Sequence, residues 1–325
     1  MFRKDYTYAV ARIRSKELGL LSGGAMEQLV ACKSYEEALR FLTEKGWGSN
    51  DDERDAEALL KAETDKTWQL MQELTGDLSV FNTLRISDDF HNLKAAIKQI
   101  YTNSTLPPAR VFVDGGRLDA AEVLRHVQAK EFSALPGRMA SAGQQAYEVL
   151  VQTGDGQMCD VLLDRAALEE LLEAGKASGS EVLRDYALLT AVAANIKIAV
   201  RSSLTGKSLD FVRRALAPCP TLRVDALAHA AVSGFGAVVD YLAQTDYAEA
   251  ASTLQASPAA FERWCDNLII RHIQPQKYNP FTVDPLAAFL LARQNEIKCA
   301  RMVLSGKLNN LPESTIRERL REMYV

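Results

Sequence analysis

One helical phrase is written three times in this chain: His91-Asn92-Leu93-Lys94-Ala95-Ala96-Ile97-Lys98, Ala194-Asn195-Ile196-Lys197-Ile198-Ala199-Val200-Arg201 and Asn295-Glu296-Ile297-Lys298-Cys299-Ala300-Arg301-Met302. The copies stand 103 and 101 residues apart (195 − 92 and 296 − 195). The same offsets align Ile86, Leu189 and Leu290, then Leu93, Ile196 and Ile297, then Ala96, Ala199 and Ala300. A solenoid repeats every ~20–50 residues, so the longer period here implies triplicated subdomains.

Within each copy the apolar positions follow a helix. Ile86, Phe90, Leu93, Ile97 and Ile100 fall on one stripe, as do Tyr186, Leu189, Ala193, Ile196 and Val200. Leu286, Leu290, Ile297 and Leu304 continue the pattern in the third copy, where Arg293 interrupts the stripe and predicts a less completely buried face. Upstream, Glu63, Asp164 and Glu262 each mark the expected start of a preceding helix. Ser34-Tyr35-Glu36-Glu37-Ala38 parallels Asp246-Tyr247-Ala248-Glu249-Ala250, with Ser34 or Asp246 as N-cap. Only 110–113 reads as a strand, closed by the turn Asp114-Gly115-Gly116. Turn residues at 102–108 and 217–220 divide the chain into helical repeats 1–106, 107–219 and 220–325. The expected fold class is all-α, with three pseudo-repeated helical subdomains.

Bulk chemistry narrows the function. The chain has 325 residues, 47% of them hydrophobic, enough for substantial cores. A formal charge of −4, without a basic run, excludes the electrostatic stripe that nucleic acids require. Five scattered cysteines (Cys32, Cys159, Cys219, Cys265, Cys299) form no CxxC pair, which argues for reduced thiols rather than disulfides or zinc. The first residues lack the apolar core of a signal peptide, and the apolar stretches 186–194 and 285–292 are shorter than the roughly 20 residues of a membrane span.

No motif carries catalysis. Thr205-Gly206-Lys207-Ser208 ends like a phosphate loop, but Arg201 stands where the first glycine belongs. With Ser305-Gly306-Lys307 at the matching place in the third copy, both read as helix stops with a left-handed glycine. His91, His126, His229 and His272 are dispersed. Ser22-Gly23-Gly24 and Asp114-Gly115-Gly116 read as turns, and Asp51-Asp52-Glu53 as the acidic beginning of a helix rather than a calcium loop. No metal or cofactor is expected. The polar signature residues Asn92, Lys94, Lys98, Asn195, Lys197, Arg201, Glu296, Lys298 and Arg301 read as a structural edge that could double as a rim for a protein partner.

The ordered motifs carry a resemblance. Tyr6-Thr7-Tyr8-Ala9-Val10-Ala11-Arg12-Ile13-Arg14-Ser15-Lys16-Glu17 opens the chain, and Asp88-Asp89-Phe90-His91-Asn92-Leu93-Lys94 follows. Gln294-Asn295-Glu296-Ile297-Lys298, Ser305-Gly306-Lys307-Leu308-Asn309-Asn310-Leu311-Pro312-Glu313 and Ile316-Arg317-Glu318-Arg319-Leu320 close it. Together they resemble the C subunit family of prokaryotic V/A-type ATPases, whose eukaryotic counterpart is the d subunit of the vacuolar proton pump. The resemblance spans essentially the whole chain. It implies a funnel of three subdomains with a central socket, one copy per complex, seated on the membrane proteolipid ring and receiving the central stalk at the cytoplasmic face. The implied role is a non-catalytic rotor adaptor for proton or sodium transport. Trp47, Trp68, Tyr101, Phe235 and Trp264 are then candidate anchors. Val192 departs from the pattern where Asp89 and Arg293 occupy the matching columns, so those columns do not form a shared active site. A free-standing helical-repeat scaffold or an enzyme with a dispersed active site would be the alternatives.

Overall fold

The computed structural model describes residues 5–48, 55–104 and 106–325; the acidic segment Asp51-Asp52-Glu53 lies outside them. The described chain runs through α1 (Thr7–Glu17), α2 (Gly23–Ala31), α3 (Tyr35–Glu44), α4 (Ala56–Thr75), α5 (Ile86–Thr102), α6 (Ala120–Ala129), α7 (Arg138–Thr153) and α8 (Gly156–Ala177). It continues through α9 (Glu181–Thr205), α10 (Leu209–Ala215), α11 (Val224–Ser233), α12 (Phe235–Leu242), α13 (Ala248–Ala256), α14 (Pro258–Ile273), α15 (Asp284–Leu308) and α16 (Glu313–Arg319). Among the described residues there is no strand, so the chain is all-α.

Local chemistry sets the ends of the long helices. Asp55, Asp155 and Ser257, spaced 100 and 102 residues apart (155 − 55 and 257 − 155), cap α4, α8 and α14 by accepting from Glu57, Met158 and Ala260 amides. Glu63, Asp164 and Glu262, expected near those starts, lie inside the helices instead, because the side-chain caps upstream already satisfy the free amides. Ser34 caps α3 as expected, while Glu37 reaches back to the Lys33 amide.

The signature helices end alike. Left-handed residues Asn103, Gly206 and Asn310 follow α5, α9 and α15. Ser104, Lys207 and Leu311 amides then donate to Gln99, Ser202 and Gly306 carbonyls, closing the last turn in each case. Gly206 is therefore the expected stop. Gly306 is not: α15 runs through it to Leu308, and a Cβ there would lie 2.6 Å from Ile316. Close packing by α16 requires that glycine, and the left-handed role passes to Asn310.

Packing divides the chain into two compact units, Met1–Leu78 with Ser180–Val182 and Thr253–Val325, and Ser79–Gly179 with Leu183–Ser252. These units are drawn differently from the sequence thirds. In the first unit α15 packs on α1 to α4, α14 and α16. Its core joins Leu29, Leu42, Leu59 and Leu60 to Ile297, Ala300, Val303 and Leu304. In the second, α5 packs on α6, α7 and α8, and α10 bridges α8 and α11. Gly143 lets α7 press on α5, since a Cβ there would meet Leu93 at 3.2 Å, and Gly175 admits Ala187 of α9 against α8.

Four sequence expectations change. The 110–113 strand is absent; Pro108–Arg110 is a 3-10 turn, and Val113 is held by a side chain as described below. The α5 stripe is buried from Ile86 to Ile97, with Ile100 half-buried, but α9 buries Leu183, Ala187, Leu189, Ala191, Val192, Ile196 and Ala199, leaving Tyr186, Ala193 and Val200 half-buried. Close contact with α8 at Gly175 turns the buried arc toward the alanines. The third face is thoroughly buried despite Arg293, because its charge is matched internally. Finally, α9 extends well beyond the apolar stretch 186–194, and over its 25 residues a window of mean hydropathy 1.3 makes it long and apolar enough to cross a membrane. Its buried residues Ala187 and Ala191 belong to the core of the second unit.

Candidate functional site

The signature asparagines are internal clamps. Asn92 accepts the Val113 N–H at 2.9 Å and donates to its carbonyl at 3.0 Å. Asn195 does the same to Ala217, with both bonds at 2.9 Å. A primary carboxamide presents the donor and acceptor of a peptide, so it can replace a neighbouring strand for a single loop residue. In the third copy Asn295, one position before the aligned Glu296, donates to the Glu322 carbonyl at 3.0 Å.

Glu296 has a different task. It is 1% exposed, accepts the Leu21 N–H and pairs with Arg293. Arg293 also pairs with Glu63, which binds Lys66 at 2.8 Å, and it lies over the Trp47 ring at 4.5 Å. Burial raises the Glu296 pKa, while Arg293 and the Leu21 amide pull it back. A second buried network joins Arg117 to Asp89 and Glu170, and Glu170 accepts the Arg138 N–H at 2.9 Å. The Arg293–Glu296 pair is local, three residues apart on α15, but the contacts of Arg293 with Glu63 and of Arg117 with Asp89 and Glu170 join residues far apart in sequence and leave no signal in local periodicity.

The cationic signature residues face outward and are largely paired. Lys94 pairs with Asp164 and Lys98 with Asp160 at 2.6 Å. In the first unit Lys298 pairs with Asp266 at 2.6 Å and Arg301 with Glu57 at 3.1 Å. Lys197 and Arg201 are exposed on α9. The fold brings Lys94, Lys197 and Arg201 to a single cleft of about 370 Å³ between α5, α8 and α9. Phe90, Ala167, Leu168, Ala194 and Ile198 supply its apolar wall, and Asp164 is the one carboxylate among its lining residues. This is the site where the sequence-predicted residues of two copies converge.

Several other candidates resolve as structure. Lys207 donates to Gln157 at 2.7 Å and Ser208 caps α10, so the Thr205-Gly206-Lys207-Ser208 run is a helix-to-helix connection. His229 and His272 are set against helix carbonyls, His91 against the Val111 carbonyl and His126 against Glu131. Among the described residues no cluster of histidine, cysteine or carboxylate side chains could hold a metal. The cysteines are free, and burial pushes the Cys159 thiol up to about 11. Gly115 and Gly116 lie where a Cβ would strike Asp88 and Asp89, and Arg85 donates to both glycine carbonyls. Trp47 and Trp264 are core, Trp68 and Phe235 half-buried, and Tyr101 is exposed.

Comparison with known proteins identifies the family of the chain. Residues 9–319 match the family described as ATP synthase (C/AC39) subunit. The C subunit of the V-type sodium ATPase of Enterococcus hirae is 25% identical over 320 residues, covering 96% of this chain and 97% of that protein. The C subunit of the V-type ATP synthase of Thermus thermophilus is 24% identical, covering 97% of this chain and 98% of its own length. The C subunit of the A-type ATP synthase of Methanocaldococcus jannaschii is 22% identical, covering 97% and 86%. With the match running almost end to end, the chain belongs to the ATP synthase C/AC39 subunit family, the non-catalytic C subunits of V/A-type rotary ATPases.

Proposed function

We propose that this protein is a rotor adaptor, carrying torque between the central stalk and the membrane proteolipid ring during proton or sodium transport. The collinear match over residues 9–319 carries this reading. The sequence thirds 1–106, 107–219 and 220–325 would form the three subdomains of a funnel around a socket, with one chain in each complex. The caps Asp55, Asp155 and Ser257 and the terminators Asn103, Gly206 and Asn310 support that repetition. The adaptor would sit peripherally at the cytoplasmic face.

Torque transmission needs stiff elements and defined contact points. Buried charge pairs and carboxamide clamps stiffen the units, because releasing them exposes unsatisfied groups. A contact point is offered in the first unit, where Tyr278 and Phe281 are 87% and 68% exposed. Their loop is braced by Arg14, which donates to the Gln276 and Asn279 carbonyls at 2.6 and 2.8 Å. Preorganised aromatics of this kind lose little entropy on docking. Tagged protein extracted from its native membranes in mild detergent should retain proteolipid-ring and stalk subunits. Recovery of the chain without either would overturn the adaptor reading.

A further inference from the structure

The α5–α8–α9 cleft combines an apolar wall with cations contributed by two signature helices. Ala167, Ala194 and Ile198 are half-buried, leaving apolar surface open, while Phe90 and Leu168 close the wall beneath. Lys94, Lys197 and Arg201 face a single lining carboxylate, Asp164, which is already engaged by Lys94. Lys98 stands on the next turn of α5 and pairs with Asp160 of α8. Exposed Lys197 and Arg201 on α9 and paired Lys94 on α5 therefore set cationic side chains along the borders of an apolar groove.

We infer that this cleft receives an acidic amphipathic helix from another subunit of the complex. Helix-in-groove recognition places apolar side chains at about every third or fourth residue into a groove. Carboxylates flanking that stripe would meet Lys94, Lys197 and Arg201. The small side chains Ala167 and Ala194 let a helix backbone approach closely, whereas a free anion would leave the apolar wall unused. Asp164, the carboxylate paired with Lys94, is 54% exposed. An incoming carboxylate can share or replace Asp164 without stranding a buried charge. The inference rests on the adaptor reading and names the chemistry of one of its contacts.

Zero-length carbodiimide coupling tests this directly, since it joins a lysine amine to a carboxylate in contact. In the detergent-purified complex, Lys94 or Lys197 should be joined to Asp or Glu within an amphipathic helix of a different subunit. Lys197→Glu with Arg201→Glu should weaken retention of that subunit roughly tenfold or more, and raising salt should weaken the wild-type contact. Arg184→Glu, on the same helix and 56% exposed, is the control and should leave retention unchanged. Circular dichroism melting confirms that both variants fold. If wild-type protein retains ring and stalk subunits, yet its Lys94 and Lys197 couple only within the chain and the double variant retains them equally, the cleft inference fails while the adaptor reading stands. If wild-type protein retains none of them, the adaptor reading itself fails. Loss by the double variant of binding to phosphatidylglycerol vesicles, without loss of any subunit, would overturn the inference in favour of lipid headgroups.

Discussion

Asn92 and Asn195 occupy the same column of the repeat and make the same pair of bonds, but in different surroundings. Asn195 and Ala217 are both fully buried, whereas Val113 is 37% exposed. Removing the carboxamide strands an amide and a carbonyl, costing about 1–3 kcal/mol for each group without water. Asn195→Ala should therefore lower unfolding free energy by about 2–6 kcal/mol, and Asn92→Ala by less, because water can reach Val113. Urea denaturation of the two variants measures the order; an equal or inverted loss would show that the clamps do not act through burial. Glu296 offers a pH test. Its folded pKa is raised by burial, so protonation favours the folded state; the contribution is present below the unfolded value and disappears as pH rises through the folded one. Melting temperature should therefore shift in favour of wild type over Glu296→Gln as pH falls from neutrality toward 4.5, the ordinary glutamate value. A pH-independent difference would remove Glu296 as the titrating group. The recurrence of an asparagine at 92 and 195 was legible from spacing alone. Its orientation toward the backbone of a loop was not, because Val113 and Ala217 are unremarkable as sequence.

The signature helices show how one pattern accommodates three environments. Each ends with a left-handed residue, but in α15 that residue is Asn310, and Gly306 is left inside the helix to make space for Ile316. Gly306→Ala should cost about 1–3 kcal/mol from overpacking, and Ile316→Ala in the same chain should recover part of it. Gly206→Ala should cost about 1 kcal/mol through backbone conformation, with no rescue from a neighbour. Thermal or chemical denaturation of the single and double variants separates the two causes. Additivity between Gly306→Ala and Ile316→Ala would refute the packing explanation. Helix identity was readable because the apolar spacing repeats locally. The reason for a glycine at 306 was not, since the atoms that crowd it belong to the following helix.

The two packing units take their cores from stretches far apart in the chain, so damage to one signature helix should reach well beyond its own sequence repeat. Leu93 and Ile196 are fully buried in the second unit, and Ile297 is 6% exposed in the first. Leu93→Asp, Ile196→Asp and Ile297→Asp should each cost about 3–5 kcal/mol by burying an unpaired charge. Near-wild-type melting of all three would show that the aligned stripe is not a core. Amino-acid order alone specified helices, their period, most of the apolar faces and a resemblance running from end to end. These depend on neighbours within one or two turns and on residue types kept in sequence. Tertiary packing settled which repeated polar residues clamp loops, which charge pairs are buried, and which lysines border an open cleft. Arg293 meets Glu63 across 230 residues and Lys94 meets Asp164 across 70, so burial and charge pairing at those positions arise only when distant helices are brought together.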